Sequence, residues 1–199
     1  MGRRIGAVAF GLLLSVALAA PVLADTTPDP GNYRESGSAL YVNAGASECG
    51  QTTCTDTFVY GAIVELQSGE SDAYVCVDQF TYPLRGGGRI SQFFGCASVA
   101  PDIANDLSSA SVDVTIFGDS CGRRTCTPAE KTVAMSLTAF GDPNSYSSTQ
   151  KSEYGNCIDT YRIRGQATDA EGTIEIDGAS LLAFGQIGQE SYTFSSRCK

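Results

Sequence analysis

Two aspartates in matching surroundings are the residues of this sequence best placed to do chemistry. Asp78 and Asp159 each lie two residues after a cysteine. Glycoside hydrolysis needs two suitably spaced carboxylates, so this pair could serve a secreted hydrolase. A structural role is the favoured interpretation, because catalytic carboxylates divide their roles between unlike environments and these two environments are alike. A carboxylate on a buried face needs a partner, such as backbone N–H groups or the guanidinium of Arg85 or Arg164.

Histidine is absent from the chain. Its absence excludes Ser-His-Asp and Cys-His nucleophile systems, and zinc sites with histidine ligands. A thiolate nucleophile or a four-cysteine zinc site is not expected either, because the eight cysteines of an exported chain are predicted to be oxidised. The sequence contains no cofactor motif and therefore favours a non-catalytic protein.

Two adjacent arginines, Arg123 and Arg124, lie between the cysteines of a short C-x4-C loop. A disulfide-closed loop of this kind could present the arginines to a protease, as an inhibitor does, or to an anionic group. A solvated turn is the simpler interpretation.

Two groups of oxygen-bearing side chains could hold calcium, which prefers carboxylate and carbonyl oxygens. They are Asp102, Asn105 and Asp106 between the two halves of the chain, and Asp169, Glu171 and Asp177 near a turn. Neither group has the ligand order of a calcium-loop motif, and solvated acidic loops are the simpler interpretation. No cofactor is therefore predicted, and calcium is the ion to test.

One short motif occurs twice. The pattern C-G-x-x-T-C-T spans Cys49–Thr55 and returns at Cys121–Thr127. A third cysteine follows each copy, and Cys76 and Cys157 are both followed by an apolar residue and an aspartate. The sequence predicts a duplicated unit, in too few copies for a solenoid.

The duplication divides one β domain into halves 38–108 and 109–199. The second half is longer because of Gly141–Gln150, which is rich in Ser, Asn, Pro and Gly and is predicted to be an inserted loop. With that insertion set aside, the segments Leu40–Phe80 and Val112–Tyr161 should superpose. Gly50 and Gly122 would supply the backbone freedom that a short cysteine loop needs.

An even number of cysteines in an exported chain indicates disulfides, although eight cysteines allow 105 pairings. The repeat favours the symmetric choice among them, and pairing between the two C-x4-C loops is its main competitor. The symmetric choice is Cys49–Cys54, Cys76–Cys96, Cys121–Cys126 and Cys157–Cys198.

The first 24 residues have the pattern of a secretory signal peptide. Arg3 and Arg4 form its basic start, Ile5–Ala20 its apolar stretch, and small residues end it at Ala24. The apolar stretch is shorter than the ~20 residues of a spanning helix, so we predict a secreted protein with no membrane anchor after cleavage. Residues 25–37, with two prolines, are predicted to be an irregular lead-in.

The chain is acidic. Removal of the signal peptide leaves 11 of the 13 basic residues and all 22 acidic ones, a formal charge of −11. This charge argues against nucleic acid and anionic membranes as partners. The expected partner is an extracellular protein or glycan.

Apolar and polar residues alternate with period two between turns rich in Gly, Ser and Asp, which predicts antiparallel β-structure. In the last strand, Tyr192, Phe194 and Cys198 should face one way and Thr193, Ser195 and Arg197 the other. One helical turn is predicted within Asp102–Leu107. The expected fold is all-β, a disulfide-stapled antiparallel β-sandwich of two similar halves, with a closed β-barrel as the alternative.

These patterns favour a secreted, non-catalytic β domain with a binding or structural role outside the cell. The alternatives are a hydrolase that uses paired carboxylates and an inhibitor that presents the Arg123–Arg124 loop. The sequence itself carries no signal that identifies a ligand.

Overall fold

The computed structural model describes residues 33–85 and 88–198, and the predicted signal peptide lies outside them. Over the described ranges the chain forms ten strands and no helix, so the predicted all-β class is confirmed. The strands are β1 Tyr33–Cys49, β2 Thr53–Leu66, β3 Ser71–Pro83, β4 Ser91–Ala97, β5 Asp102–Ile103, β6 Ser109–Cys121, β7 Cys126–Ala139, β8 Asn144–Tyr154, β9 Cys157–Ile176 and β10 Ala179–Cys198.

All ten strands belong to one antiparallel sheet. Eight of them form a closed circuit of pairings, in the order β1, β2, β3, β4, β6, β7, β9, β10 and back to β1. Strand β5 pairs β6, and β8 pairs β9. Two packed layers built from two halves are compatible with this arrangement and stay a prediction.

One face of the circuit carries the hydrophobic core. Alternate residues of neighbouring strands meet there, including Val59 opposite Val77 and Met135 opposite Ile174. The core contains mostly Val, Ile, Ala, Leu and Met side chains, and full burial of each large one contributes about 1.5–3 kcal/mol. The core therefore holds the circuit together with aliphatic side chains.

The connector between β4 and β6 contributes to this core. Its Ile103 and Leu107 are buried within the cluster. The predicted helical turn in Asp102–Leu107 is wrong, because Asp102–Ile103 is extended as β5 and Leu107 takes a φ of 60°. That φ is unusual for a side chain of this size, and it accompanies almost complete burial of Leu107.

The four disulfides have the symmetric pairing. They join Cys49 to Cys54, Cys76 to Cys96, Cys121 to Cys126 and Cys157 to Cys198, and the described residues include no free cysteine. Each bond links two residues that lie directly opposite each other on paired strands. Four such bonds indicate an oxidising, extracellular compartment.

The two C-G-x-x-T-C motifs form equivalent hairpin ends. Gly50 N–H donates to the Thr53 carbonyl and Gly122 N–H to the Thr125 carbonyl, each over 2.9 Å. Neither glycine has a positive φ, and a Cβ on either would lie 3.8 Å or more from its nearest neighbour. The special backbone freedom predicted for these two glycines is therefore not used.

The likeness of the halves weakens beyond these hairpins. Cys76 lies in β3, which pairs β2 along most of its length. Cys157 begins β9 and pairs with β8 and β10, whereas β9 meets β7 only at Ala170–Ile176. The predicted superposition therefore does not extend to Val112–Tyr161, and duplication of the whole unit stays a prediction.

Two predicted irregular segments are strands. Asn144–Gln150, within the predicted loop, belongs to β8, and Tyr33–Gly37, within the predicted lead-in, belongs to β1. Neither segment packs against the core, so neither shows the alternation of apolar residues that indicates a half-buried strand. Their Ser, Thr and Tyr residues pair with β9 and β10 instead.

These pairings create a region that we call the wing. It comprises β8 (144–154), the first part of β9 (157–167), the last part of β10 (188–198) and the start of β1 (33–41). None of its residues belongs to the buried core cluster; Leu40 packs against the edge of that cluster. The side chains on both faces of the wing are thus not needed to fill the core and are available to bind a ligand.

Candidate functional site

The two candidate carboxylates are not brought together. Asp78 lies on β3 and Asp159 on β9, and three strands separate them in either direction around the circuit. Asp78 accepts a hydrogen bond of 2.9 Å from the side-chain amide of Gln92, rather than from an arginine. The structure therefore gives the paired-carboxylate hypothesis no shared site at these two positions.

Arg123 and Arg124 lie at the tip of the β6–β7 hairpin. Both are exposed, and the Cys121–Cys126 disulfide closes the loop that carries them. The loop therefore presents two cations to solvent on a short, covalently closed turn.

The acidic groups considered for calcium have other partners. Asp177 forms an ion pair of 2.9 Å with Lys131 and accepts a hydrogen bond from the Thr132 N–H. The hydrogen bond from Lys131 and the positive charge of Lys131 lower the pKa of Asp177. Asp169 accepts from the Gln186 amide, and Asp106 from the Ser108 N–H. No group of three or more acidic, cysteine or histidine side chains in the described ranges is arranged to hold a metal ion.

The wing has a face that we call the basic face. Its residues follow three consecutive rows across the four strands. The rows read Arg34–Ser195–Thr160–Lys151, then Ser36–Thr193–Arg162–Thr149, then Ser38–Ser191–Arg164–Ser147. All twelve residues are Arg, Lys, Ser or Thr, and the four basic ones are exposed. Arg197 adds a fifth basic residue in the adjoining row.

A pocket continues from the basic face. It has a volume of about 680 Å³ and is open to solvent. Its lining includes Arg164, Gln166, Gln189 and Glu65, together with Asn105 from the connector before β6. The pocket lining thus contains one cation, two carboxylate residues (Glu65 and Glu190) and several amide groups that can donate and accept hydrogen bonds.

We call the opposite side of the same strands the tyrosine face. Its rows are Glu35–Phe194–Tyr161–Gln150, Gly37–Tyr192–Ile163–Ser148, Ala39–Glu190–Gly165–Tyr146 and Tyr41–Gly188–Ala167–Asn144. Tyr33 and Asp159 belong to the row at its outer end. This face contains five tyrosines and no basic residue.

Tyr146 lies at the centre of a hydrogen-bonded group that ends on Glu190. The Tyr146 hydroxyl donates to a Glu190 carboxylate oxygen over 2.9 Å, and the hydroxyls of Tyr146 and Tyr41 lie 3.2 Å apart. Because Tyr146 gives its single hydrogen to the carboxylate, Tyr41 donates to Tyr146. Three side chains from β1, β8 and β10 are linked in this way.

Burial and Glu190 shift the acidity of these phenols. Burial and the negative charge of Glu190 raise the pKa of Tyr161 to about 12. Burial, together with the hydrogen bond to Glu190, also raises the pKa of Tyr146 well above its ordinary value. The tyrosines therefore remain neutral hydrogen-bond donors at physiological pH.

Several of the rings lie over glycines of the neighbouring strand. A Cβ on Gly37 would lie 2.8 Å from the Tyr192 hydroxyl, and one on Gly165 would lie 2.7 Å from the Tyr146 hydroxyl. The Tyr41 ring covers Gly188 in the same manner. The glycines leave room for the rings to pack against the sheet, which compensates for the missing glycine side chains.

Sequence reasoning found part of these faces. The opposite orientation of Tyr192 and Phe194 relative to Thr193 and Ser195 is confirmed by the register of β10 against β9. The matching alternation in β9, Tyr161-Arg162-Ile163-Arg164, carries the same signal. The faces as wholes were missed, because they depend on pairing with β8 and with the start of β1.

No protein-family model, curated protein or solved structure matches this chain. None of the described segments forms a helix of the length and apolarity needed to cross a membrane. The function of this chain is therefore inferred from the chemistry of the two faces of the wing.

Proposed function

We propose that this chain is a secreted, non-catalytic binding domain that recognises an extracellular protein or glycan. Its predicted signal peptide and its four disulfides support a role outside the cell. The absence of histidine from the sequence and the separation of Asp78 from Asp159 support a non-catalytic role over the hydrolase alternative.

The observation that carries the proposal is the tyrosine face of the wing. Four of its five tyrosines, Tyr41, Tyr146, Tyr161 and Tyr192, are half-buried, so their rings are held in place while part of each ring remains in contact with solvent. Tyrosine offers a large contact area and a polar tip, and it loses little conformational entropy on binding, which is why it is frequent in binding surfaces. A protein surface or the apolar side of a sugar ring could pack against these rings.

The test begins with a screen of the purified mature protein against extracellular proteins and glycans. Once a ligand is found, the double substitution Tyr161→Ala/Tyr192→Ala should weaken binding at least tenfold, measured by calorimetric titration. Tyr161→Phe/Tyr192→Phe should keep most of the affinity, because the rings remain.

The matched control is Phe117→Ala, which removes an aromatic side chain that is 68% exposed on β6, outside the wing. This variant should bind like the unmodified protein. Equal binding by Tyr161→Ala/Tyr192→Ala, or an equal loss in the control, would show that the tyrosine face is not the binding surface.

A second candidate function is protease inhibition by the hairpin tip. The exposure of Arg123 and Arg124 on a disulfide-closed turn favours it. Proteases that cleave after basic residues should then be inhibited by the protein, and Arg123→Ala/Arg124→Ala should abolish the inhibition. Rapid cleavage of the intact loop without inhibition would argue against this function.

A further inference from the structure

The basic face of the wing has a composition that the rest of this acidic protein lacks. Three adjoining rows of four residues contain four basic side chains, eight hydroxyl side chains and no carboxylate. We propose that this face is a second binding site, for an anionic polysaccharide that carries carboxylate or sulfate groups. The site is distinct from the tyrosine face and does not depend on the function proposed for that face.

The basic side chains of this face are available to a ligand. Within the described ranges the one ion pair is Lys131–Asp177, so no carboxylate lies within 4.0 Å of the nitrogens of Arg34, Arg162 or Arg164. An arginine can hold a carboxylate or sulfate through two parallel hydrogen bonds. The three guanidinium groups therefore have no carboxylate partner in the described part of the chain.

The spacing suits an extended ligand. Rows on one face of a sheet are about 6.8 Å apart and neighbouring strands about 4.8 Å apart, so the three rows cover roughly 14 Å in each direction. Arg162 and Arg164 occupy successive rows of β9, with Arg34 and Lys151 at the flanks. A chain of sugars with repeated anionic groups could contact several of these cations at once.

The hydroxyl side chains and the neighbouring pocket suit the sugar itself. Ser, Thr and the amides of Gln166 and Gln189 can each donate to and accept from sugar hydroxyls. The pocket of about 680 Å³ is within the size range of small-molecule sites, and Arg164 lies at its border with the basic face. One sugar unit in the pocket would leave the rest of the polymer on the three rows.

This chemistry favours a polysaccharide over other polyanions. Single-stranded nucleic acid binds by stacking its bases on aromatic rings, and the three rows contain no aromatic residue. Binding to a membrane surface is strengthened by apolar side chains that enter the lipid, and the three rows contain no apolar residue. Ser and Thr beside arginine match the hydroxyls and anions of an acidic sugar.

The experiment titrates the mature protein with dextran sulfate and with polygalacturonate, and uses neutral dextran as the reference. Both anionic polymers share the proposed chemistry, and their relative affinities distinguish sulfate from carboxylate recognition. We expect binding to at least one of them, none to dextran, and weaker binding at 200 mM than at 50 mM salt because salt screens the charges. Failure of both anionic polymers to bind would overturn the proposal.

Arg162→Gln/Arg164→Gln should weaken the binding at least tenfold. The matched control, Arg123→Gln/Arg124→Gln, removes the same charge from the hairpin tip and should retain full binding. Equal losses in both variants would show nonspecific attraction and overturn the proposal. If the Arg162/Arg164 variant does not fold, Ser147→Glu/Thr149→Glu on exposed β8 gives the second test, with the same expected loss.

Two further arms separate this site from other possibilities. Tyr161→Ala/Tyr192→Ala should leave dextran sulfate binding unchanged, so failure of the tyrosine-face function and failure of this site can be told apart. A single-stranded oligonucleotide and vesicles of anionic lipid should bind more weakly than the polysaccharides. Tighter binding of either one would overturn the assignment of the ligand class.

Discussion

The tyrosine face and the basic face of the wing are built from the same four strands, and residues of the two faces alternate along each strand. The tyrosine face has internal contacts: three of its rings cover glycines, and the hydroxyls of Tyr41 and Tyr146 form a hydrogen-bonded chain to Glu190. The basic face has no comparable packing, and its arginines project into solvent. The tyrosine face therefore contributes to the stability of the wing, whereas substitutions on the basic face should change stability little.

Removal of the Cys157–Cys198 disulfide should have the largest effect, because the bond joins β9 and β10, which carry both faces. By the chain-entropy model the loop it closes stabilises the protein by about 4 kcal/mol, and the loop closed by Cys121–Cys126 by about 2 kcal/mol. Denaturant unfolding of Cys157→Ala/Cys198→Ala and Cys121→Ala/Cys126→Ala should show this order. Equal losses of unfolding free energy in the two variants would show that the Cys157–Cys198 disulfide stabilises the protein no more than the Cys121–Cys126 disulfide does.

Gly165→Ala should have the next largest effect. The added Cβ would lie 2.5 Å from the Gln189 carbonyl oxygen and 2.7 Å from the Tyr146 hydroxyl. Such overpacking costs about 1–3 kcal/mol of unfolding free energy. The control is Gly50→Ala, whose Cβ would lie 3.8 Å from its nearest neighbour and should not destabilise the protein. A neutral Gly165→Ala would show that the tyrosine face tolerates rearrangement.

Tyr146→Phe should destabilise the protein by about 1 kcal/mol, since it removes the donor to Glu190 and leaves the Tyr41 hydroxyl without its acceptor. Tyr60→Phe is the control, because the Tyr60 hydroxyl has no hydrogen bond among the described residues. Thermal unfolding of the two variants measures the difference. Identical melting temperatures would indicate that the rings, and not their hydroxyls, hold this face together.

The smallest expected effect is a pH dependence. The pKa of Tyr161 is raised to about 12 in the folded state, above its ordinary value near 10. Its neutral form therefore stabilises the fold below pH 10, and this contribution is lost as the pH rises from about 10 to about 12. Melting temperatures of Tyr161→Phe should fall less over this interval than those of the unmodified protein, and parallel curves would contradict the shift.

Period-two patterns were sufficient to predict the class of the fold and the opposite orientations in β10, because strand geometry is local. The symmetric disulfides followed from the repeat. The length of β9 was not predictable from the sequence. The segments Asn156–Arg164 and Thr173–Asp177 look like separate strands, because Gly165–Gly172 between them has no clear alternation of apolar and polar residues, although it pairs with β10 and contributes Ala170 to the core. Asn144–Gln150 of β8 was predicted to be a loop, because this segment has no apolar face.

The two faces themselves depend on which residues lie opposite each other on four strands that are distant in the chain. Arg34 and Lys151 belong to one row only because β1 and β10, β10 and β9, and β9 and β8 are paired in particular registers. A sequence alone does not fix such long-range registers. The signals within single strands, such as Tyr161-Arg162-Ile163-Arg164, were therefore present without indicating a shared surface.

The register of the β9–β10 hairpin is fixed at both of its ends. A two-residue turn closes one end, with Asp177 and Gly178 both at positive φ, as a tight hairpin turn requires. The Cys157–Cys198 bond closes the other end, after twenty residue pairs. A slip of one residue would send every side chain of a strand to the opposite side, which would place Arg162 and Arg164 among the tyrosines. The Cys157–Cys198 disulfide therefore forms only when β9 and β10 are paired in the observed register. In that register the arginines lie on the basic face and the tyrosines on the tyrosine face.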